Sequence, residues 1–206
     1  MDTNPITRSP NKNIPLIISR HDVELIIPPD QLCNLIEHFP HKGIEKFYRV
    51  ESILENIVLY KYTCHKMANI INEINKTTKI DYLIVSEARG FLFTSLSLLT
   101  DIPCIAVRKK DKIAGECISE EYYKSYDDKE VLQISVHSPI KRKNVIIVDD
   151  GIASGGTTQA IWNLIKRAGG ENVVCVIVAI KHHRVKNKFK ETDVINIFDI
   201  KSECIC

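Results

Sequence analysis

The chain is expected to fold as an α/β domain, with a mostly parallel central sheet flanked by helices on both faces. Three observations lead there. Short β-branched or apolar runs at 82–85, 103–107, 145–149, 173–180 and 194–198 read as strands, most of them buried on both faces. Segments with apolar residues at helical spacing lie between several of them, and strands alternating with helices build a parallel sheet. With 206 residues the chain has length enough for one such domain and a substantial core, and nothing requires a second.

Residues 1–15, with Pro5, Pro10 and Pro15 among Asn, Thr and Ser, read as a flexible N-terminal extension, leaving 16–206 as the single domain. Asp30 can cap a helix in which Leu32, Leu35, Ile36 and Phe39 share a face and which ends at Pro40. The chain turns over 39–44, and residues 62–75 then set Met67, Ile70, Ile71 and Ile74 on one helical face. After the strand at 82–85, the loop Ser86-Glu87-Ala88-Arg89-Gly90 opens an apolar helix over 91–99. The strand at 103–107 releases Arg108-Lys109-Lys110-Asp111-Lys112 at its C-terminal end, where open α/β sheets bind ligands. Residues 111–128 are polar, with little apolar content to hold them down, and read as a mobile flap; 131–136 alternates and suggests an antiparallel strand.

Composition narrows the function. Charge is almost balanced, +2 on 28 basic and 26 acidic residues, which gives no polyelectrolyte argument for nucleic acid. The basic stretch 181–190 has only Phe189 as an aromatic, too little for a base-stacking surface. No membrane-length apolar run and no signal-like segment is visible, so no membrane association is expected. Seven cysteines lack a paired zinc spacing or a CxxC and read as the reduced thiols of a cytoplasmic protein. Trp162 reads as a packing residue.

Pattern and chemistry coincide at 144–158, NVIIVDDGIASGGTT. A buried strand stops at Asp149 and Asp150; Ala153, Ser154, Gly155, Gly156 and Thr157 then lead into a helix over 159–168. Glycines and small hydroxyl residues let backbone N–H groups turn inward at a helix N-terminus, where the dipole favours a phosphate. Two carboxylates would repel a free phosphate, so they are better explained as acceptors for sugar hydroxyls beside it. A sugar phosphate satisfies both halves. The Walker loop is excluded because no Lys follows the second glycine, and the dinucleotide fingerprint because the glycines are wrongly spaced.

This stretch resembles the phosphoribosyl-diphosphate (PRPP) signature of type I phosphoribosyltransferases. PRPP carries a monophosphate, two ribose hydroxyls and a pyrophosphate, and the chain has three anion-binding features at three strand ends. The closer resemblance is to the adenine phosphoribosyltransferase family. Glu87-Ala88-Arg89-Gly90-Phe91-Leu92-Phe93 is similar to its acid-Ser-Arg-Gly-Phe-Leu-Phe loop, and residues 107–115 to the Ile-Arg-Lys-x-Gly-Lys-Leu-Pro-Gly run before its flap. The segment from Phe39-Pro40 to Leu54 is similar to its hood. The resemblance implies a type I phosphoribosyltransferase fold with a small hood (about 25–60) and a flap (about 110–128), and a Mg²⁺-dependent purine salvage enzyme turning adenine and PRPP into AMP and pyrophosphate. It also implies a cytoplasmic homodimer, with the metal held through PRPP and water rather than by direct protein ligands.

Residue by residue, Ala153, Ser154, Gly155, Gly156 and Thr157 are expected to hold the 5′-phosphate, and Asp149 and Asp150 to orient the ribose hydroxyls beside the developing cation. Arg89, Arg108, Lys109 and Lys112 are expected on pyrophosphate. Phe47, Gly151, Ile152 and His183 are expected around the base, although a solvated histidine at a strand end explains His183 equally well.

The departures fall on the base half. In the family a flap glutamate just before a tyrosine assists proton transfer; Tyr126 fits the tyrosine, but Ser125 precedes it. A hydroxyl cannot replace a carboxylate as a general base at neutral pH, so Glu120 or Glu121 would have to substitute. The bulky residue that follows the two acids in the family is Gly151 here, and the hood's Phe-Arg-Asp becomes Phe47-Tyr48-Arg49. Adenine is the first expectation for the base. Another purine (hypoxanthine, guanine or xanthine) in a widened pocket, or a regulatory PRPP-binding protein without turnover, stand as alternatives.

Overall fold

The computed structural model describes residues 32–41, 44–87, 89–123, 129–181 and 194–198. Its centre is a seven-stranded sheet built from β3 (Tyr82–Ser86), β4 (Cys104–Lys109), β5 (Cys117–Tyr123), β6 (Lys129–Ser135), β7 (Asn144–Ile152), β8 (Asn172–Lys181) and β9 (Val194–Phe198). The spatial order is β5-β6-β4-β3-β7-β8-β9. β3 pairs in parallel with both β4 and β7, and β7, β8 and β9 continue in parallel. β6 is antiparallel to both its neighbours, β5 in the hairpin and β4, which it joins at Arg108 and Lys109. A separate two-stranded ribbon pairs β1 (His38–His41) with β2 (Ile44–Tyr48).

The continuous apolar runs are explained by burial on both faces. On β7, Ile146 and Val148 enter the core that packs α2 (Ile57–Thr77), while Val145 and Ile147 enter the core that packs α4 (Gly156–Arg167). The α2 helix turns Leu59, Thr63, Cys64, Met67 and Ile71 inward, and Asn56 caps it, its side-chain oxygen accepting from Val58 and Leu59 N–H. On the opposite face α4 buries Ala160, Ile161, Leu164 and Ile165. Trp162 packs against this second core, as expected of a packing residue.

Four local expectations are revised. Among the described residues the predicted helix is α-helical only at Leu32 and ends in a 3₁₀ turn, Cys33–Leu35, followed by β1, so it does not reach Phe39. Leu32 and Ile36 are buried, but Phe39 is 45% exposed, because Pro40 disfavours a helical residue before it and sends the chain into the ribbon. The helix expected over 91–99 is split into a 3₁₀ turn, Arg89–Phe93, and α3 (Leu96–Thr100). The Tyr60 hydroxyl donates to the Leu92 carbonyl at 2.6 Å, and Gly90 packs on β7 where a Cβ would meet the Ser86 hydroxyl at 2.8 Å. α4 begins at Gly156, not Gln159, since the loop glycine itself forms the first turn. Finally, within the polar stretch 111–128 residues 117–123 form the strand β5, held by ladder hydrogen bonds and by burial of Tyr122. α1 (Glu51–Glu55) follows the ribbon, and Arg49 between them is paired with Glu37 and Glu55.

Candidate active site

The parallel pairing of β3, β4 and β7 brings their C-terminal ends, and so the three loops expected to bind anions, to one edge of the sheet. β7 delivers Asp149 and Asp150 and passes into the loop Ala153-Ser154-Gly155. Gly155 takes the left-handed conformation, φ 78°, that a glycine adopts without cost, and no side chain caps α4 behind it. The N–H groups of the first helical turn therefore point out as donors for an anion. Ser154 is exposed on the loop and Thr158 is buried beneath it.

The two carboxyls are each only 5% exposed. They lie close enough to each other to interact directly. Asp149 accepts the Asp150 backbone N–H at 2.9 Å and the Ser86 hydroxyl. Asp150 faces a cleft lined by Tyr48, Val50, Arg89, Gly151, Ala153 and Ile180. Burial pushes both carboxyls above the ordinary Asp range, Asp149 further because the neighbouring Asp150 charge adds to it, while Arg89 pulls Asp150 back down. Arg89 Nε lies 2.9 Å from Asp150 Oδ2 but off the line of a hydrogen bond. Oδ2 is thus a buried acceptor lacking a hydrogen-bond donor, and a sugar hydroxyl or metal-bound water would satisfy it.

Across the edge, the end of β4 is organised by Glu87. Its Oε2 accepts from Arg108 Nε at 2.8 Å and from Lys109 N–H at 3.0 Å. The Arg108 guanidinium, first, then the Lys109 amide hold the Glu87 carboxyl below its ordinary range, with a smaller contribution from Lys112. Arg108 also lies over the Phe91 ring, 5.6 Å from its centroid. The guanidinium is anchored through Nε and the ring, which leaves its terminal nitrogens directed by the anchor. Arg108, Lys109 and Lys112 accordingly share one edge of the sheet with the Arg89 turn.

The expected flap carboxylates are engaged elsewhere. Glu120 accepts from Asn163 Nδ2 at 2.7 Å and pairs with Arg167 at 2.8 Å, tying β5 to the side of α4. Glu121 pairs with Lys129 across the hairpin at 2.7 Å. Ile152 is 2% exposed in the α4 core, so it supports the loop from below and does not line the cleft. Gly151 does line it, and its backbone runs so close to β8 that a Cβ would sit 3.2 Å from the Ile180 carbonyl. Tyr126, Ser125 and His183 lie outside the described residues, and Phe47 is described only as part of β2. Two residues were missed by sequence reasoning. Tyr48, at the end of β2, lines the cleft, its ring edge-on to His38 at 5.7 Å, and its position next to Phe47 was the available signal. Tyr122, buried on β5, touches the phosphate loop, and only the topology reveals it.

A Mg²⁺ requirement can be weighed against this donor set. Among the described residues no group of three or more His, Cys, Asp or Glu could cage a metal. The paired Asp149 and Asp150, with the unsatisfied Oδ2, fit a hydrated ion that arrives with a phosphorylated substrate.

Residues 64–205 match the phosphoribosyl transferase domain. The chain is 34% identical over 173 residues to an adenine phosphoribosyltransferase of Mycoplasma genitalium, covering 82% of this chain and 93% of the relative. It is 38% identical over 163 residues to that of Clostridium botulinum, covering 78% and 91%. The crystal structure of adenine phosphoribosyltransferase from Saccharomyces cerevisiae, complexed with an imino-altritol bisphosphate and adenine, matches with a TM-score of 0.74 at 27% identity, over 82% of this chain and 98% of that one.

Proposed function

Because this chain belongs to the adenine phosphoribosyltransferase family of phosphoribosyl transferase domains, we propose that it converts adenine and PRPP into AMP and pyrophosphate. The observation that carries the reading is the buried Asp149–Asp150 pair, with Asp150 against Arg89, leading directly into an uncapped helix N-terminus. A phosphate on that N-terminus places the attached ribose over the acids.

In the reaction, a ring nitrogen of adenine bonds to the anomeric carbon as the bond from that carbon to pyrophosphate oxygen breaks. The nitrogen's proton passes to solvent. The ribose ring carries positive charge in the transition state, and Asp149 and Asp150 supply preorganised negative potential beside it. Arg89, Arg108, Lys109 and Lys112 take up the charge released on pyrophosphate, with Arg108 aimed by Glu87. Asp149 and Asp150 would hold, through water and the ribose hydroxyls, a Mg²⁺ that supplies charge neutralisation to the leaving pyrophosphate. Tyr48 and Gly151 bound the space left for the base, with Tyr126 and His183 as candidates on the flap and after β8. The hood, the flap and the extension at 1–15 belong to the same reading.

Four described cysteines, Cys64, Cys104, Cys117 and Cys175, are free thiols, which supports placing the protein in the reducing cytoplasm. No described helix is long and apolar enough to cross a membrane. We read the assembly as a homodimer, which light scattering would check.

The test is pyrophosphate release from Mg-PRPP by the purified protein with adenine, hypoxanthine, guanine and xanthine offered separately. Release with adenine in preference to the other three is expected. Preference for another purine would make Gly151 a specificity determinant for that base, and silence with all four would overturn the transferase reading.

A further inference from the structure

Beside the phosphate loop, β5 carries a buried phenol. The Tyr122 side chain is 8% exposed, and its hydroxyl accepts from Thr157 Oγ1 at 3.4 Å while donating to Glu130 Oε2 at 2.9 Å. Lys109 Nζ lies 3.8 Å from Glu130 Oε1. Thr157, Tyr122, Glu130 and Lys109 thus form a chain from the phosphate loop to a cation at the pyrophosphate end. Its two middle members are directly opposite each other on the β5–β6 hairpin.

A second, independent observation comes from backbone packing. A Cβ on Gly156 would stand 2.8 Å from the Tyr123 carbonyl and 3.6 Å from the Tyr122 ring. Gly156 is therefore required by the close approach of the hairpin, which presses its backbone onto the first turn of α4. The same strand is secured further along α4, where Arg167 donates to the Ser119 carbonyl at 2.6 Å and pairs with Glu120. Hairpin and phosphate helix form one docked unit.

The two bonds of Tyr122 differ in strength. Its bond to the Glu130 carboxylate is charge-assisted and of ordinary length, whereas 3.4 Å from Thr157 is long for an O–H···O bond. The Thr157 hydroxyl is held in one orientation yet is released at little cost when a phosphate offers a charged acceptor. Burial, the main cause, pushes the Tyr122 phenol well above its ordinary range, so it remains a protonated donor to Glu130.

We propose that Tyr122 is a positioning residue for the 5′-phosphate: anchored on Glu130, it sets the Thr157 hydroxyl and registers the flap hairpin against the phosphate loop. The inference rests on the transferase reading, which places that phosphate at Thr157.

The test is calorimetric titration of ribose 5-phosphate and of Mg-PRPP into the full-length wild type, Tyr122→Phe, Thr157→Val and the double variant, with melting temperatures recorded for each. Y122F is expected to weaken both ligands by about fivefold, because the Thr157 hydroxyl is no longer preset for the phosphate, while the KM for adenine stays unchanged. The double variant should bind no more weakly than T157V alone, because both changes remove the same interaction. Unchanged ligand affinity in Y122F, or losses that simply multiply in the double variant, would overturn the proposal. So would a lower melting temperature with wild-type affinity, which would leave Tyr122 a packing residue. A wild type that binds ribose 5-phosphate but releases no pyrophosphate with any base defeats the transferase reading, while the binding comparison still decides the role of Tyr122.

Discussion

Arg89 Nε and Asp150 Oδ2 face each other at 2.9 Å across the mouth of the cleft, so a cation assigned to the leaving group and a carboxylate assigned to the ribose neutralise each other before substrate binds. Neither is consumed by the contact. Arg89 stays 41% exposed, and Asp150 Oδ2 keeps an unfilled hydrogen-bonding position. PRPP would exchange this pair for two better ones, pyrophosphate on Arg89 and a ribose hydroxyl on Asp150. The protein thereby avoids holding a bare buried charge in the free state.

The acid pair gives a pH-dependent prediction. The Asp149 carboxyl is raised by burial and by the Asp150 charge, so its stability contribution is present below the ordinary Asp range near 3.9 and is lost as pH rises through the higher folded value. Asp149→Asn keeps an oxygen for the Asp150 N–H and removes the charge. At pH 7.5 the variant should melt higher than wild type, on the order of 3 °C, and the gap should close as pH falls toward about 4. Turnover should fall by about a hundredfold at every pH. Thermal melts across pH check the first part and pyrophosphate release the second; a variant less stable than wild type at pH 7.5 would contradict the burial argument.

Glu87 makes the next. Glu87→Gln can still accept the Lys109 amide but loses the charged bond that aims Arg108. The KM for PRPP should rise about tenfold, in keeping with the worth of a charge-assisted hydrogen bond, with the KM for adenine unchanged. Initial rates with each substrate varied separately would show it, and an equal rise in both would mean that Glu87 holds the fold of the loop rather than Arg108.

The candidate PRPP half was legible because most of its residues are consecutive: acids, glycines and hydroxyls on one strand–loop–helix, with the cations at two neighbouring strand ends. Asp149, Asp150, Arg89 and Arg108 needed only the parallel order of β3, β4 and β7 to share one edge of the sheet. The base half is assembled from segments distant in sequence, so Tyr48 from β2 and Ile180 from β8 could not be paired with Gly151 by spacing. The flap shows the same limit. Glu120 looked available for proton transfer because its partners, Asn163 and Arg167, stand more than forty residues away on α4. Helical spacing alone also overextended the segment before Pro40, where the backbone restriction at Phe39 outweighs a matching apolar pattern.

Glu120 therefore carries the third prediction. Glu120→Gln retains an oxygen for Asn163 and replaces an ion pair with Arg167 that is half-exposed on the arginine side. Such a pair contributes little, about 0.2–1 kcal/mol. Turnover with adenine is expected within about threefold of wild type, since a clamp, not a proton acceptor, is being softened. A hundredfold loss of kcat with PRPP binding intact would restore Glu120 as the general base.

Tyr48 tests the base pocket itself. The ring is half-buried, braced edge-on by His38, and lines the same cleft as Gly151, which offers no side chain. With no side chain at Gly151 to pack on a planar base, the Tyr48 ring is expected to supply most of the stacking, a contact worth about 1–3 kcal/mol per base by alanine substitution. Tyr48→Ala should raise the KM for adenine by about tenfold or more, and Tyr48→Phe, which keeps the ring, should restore it. The KM for PRPP should not move, because the contacts proposed for the sugar phosphate come from β7, α4 and the strand-end cations and not from Tyr48. If Y48A raised both KM values together, the residue would be bracing the hood against the sheet; if Y48F failed to restore adenine binding, the hydroxyl and not the ring would be the contact. Only a selective, ring-dependent loss assigns the Tyr48 ring to the base.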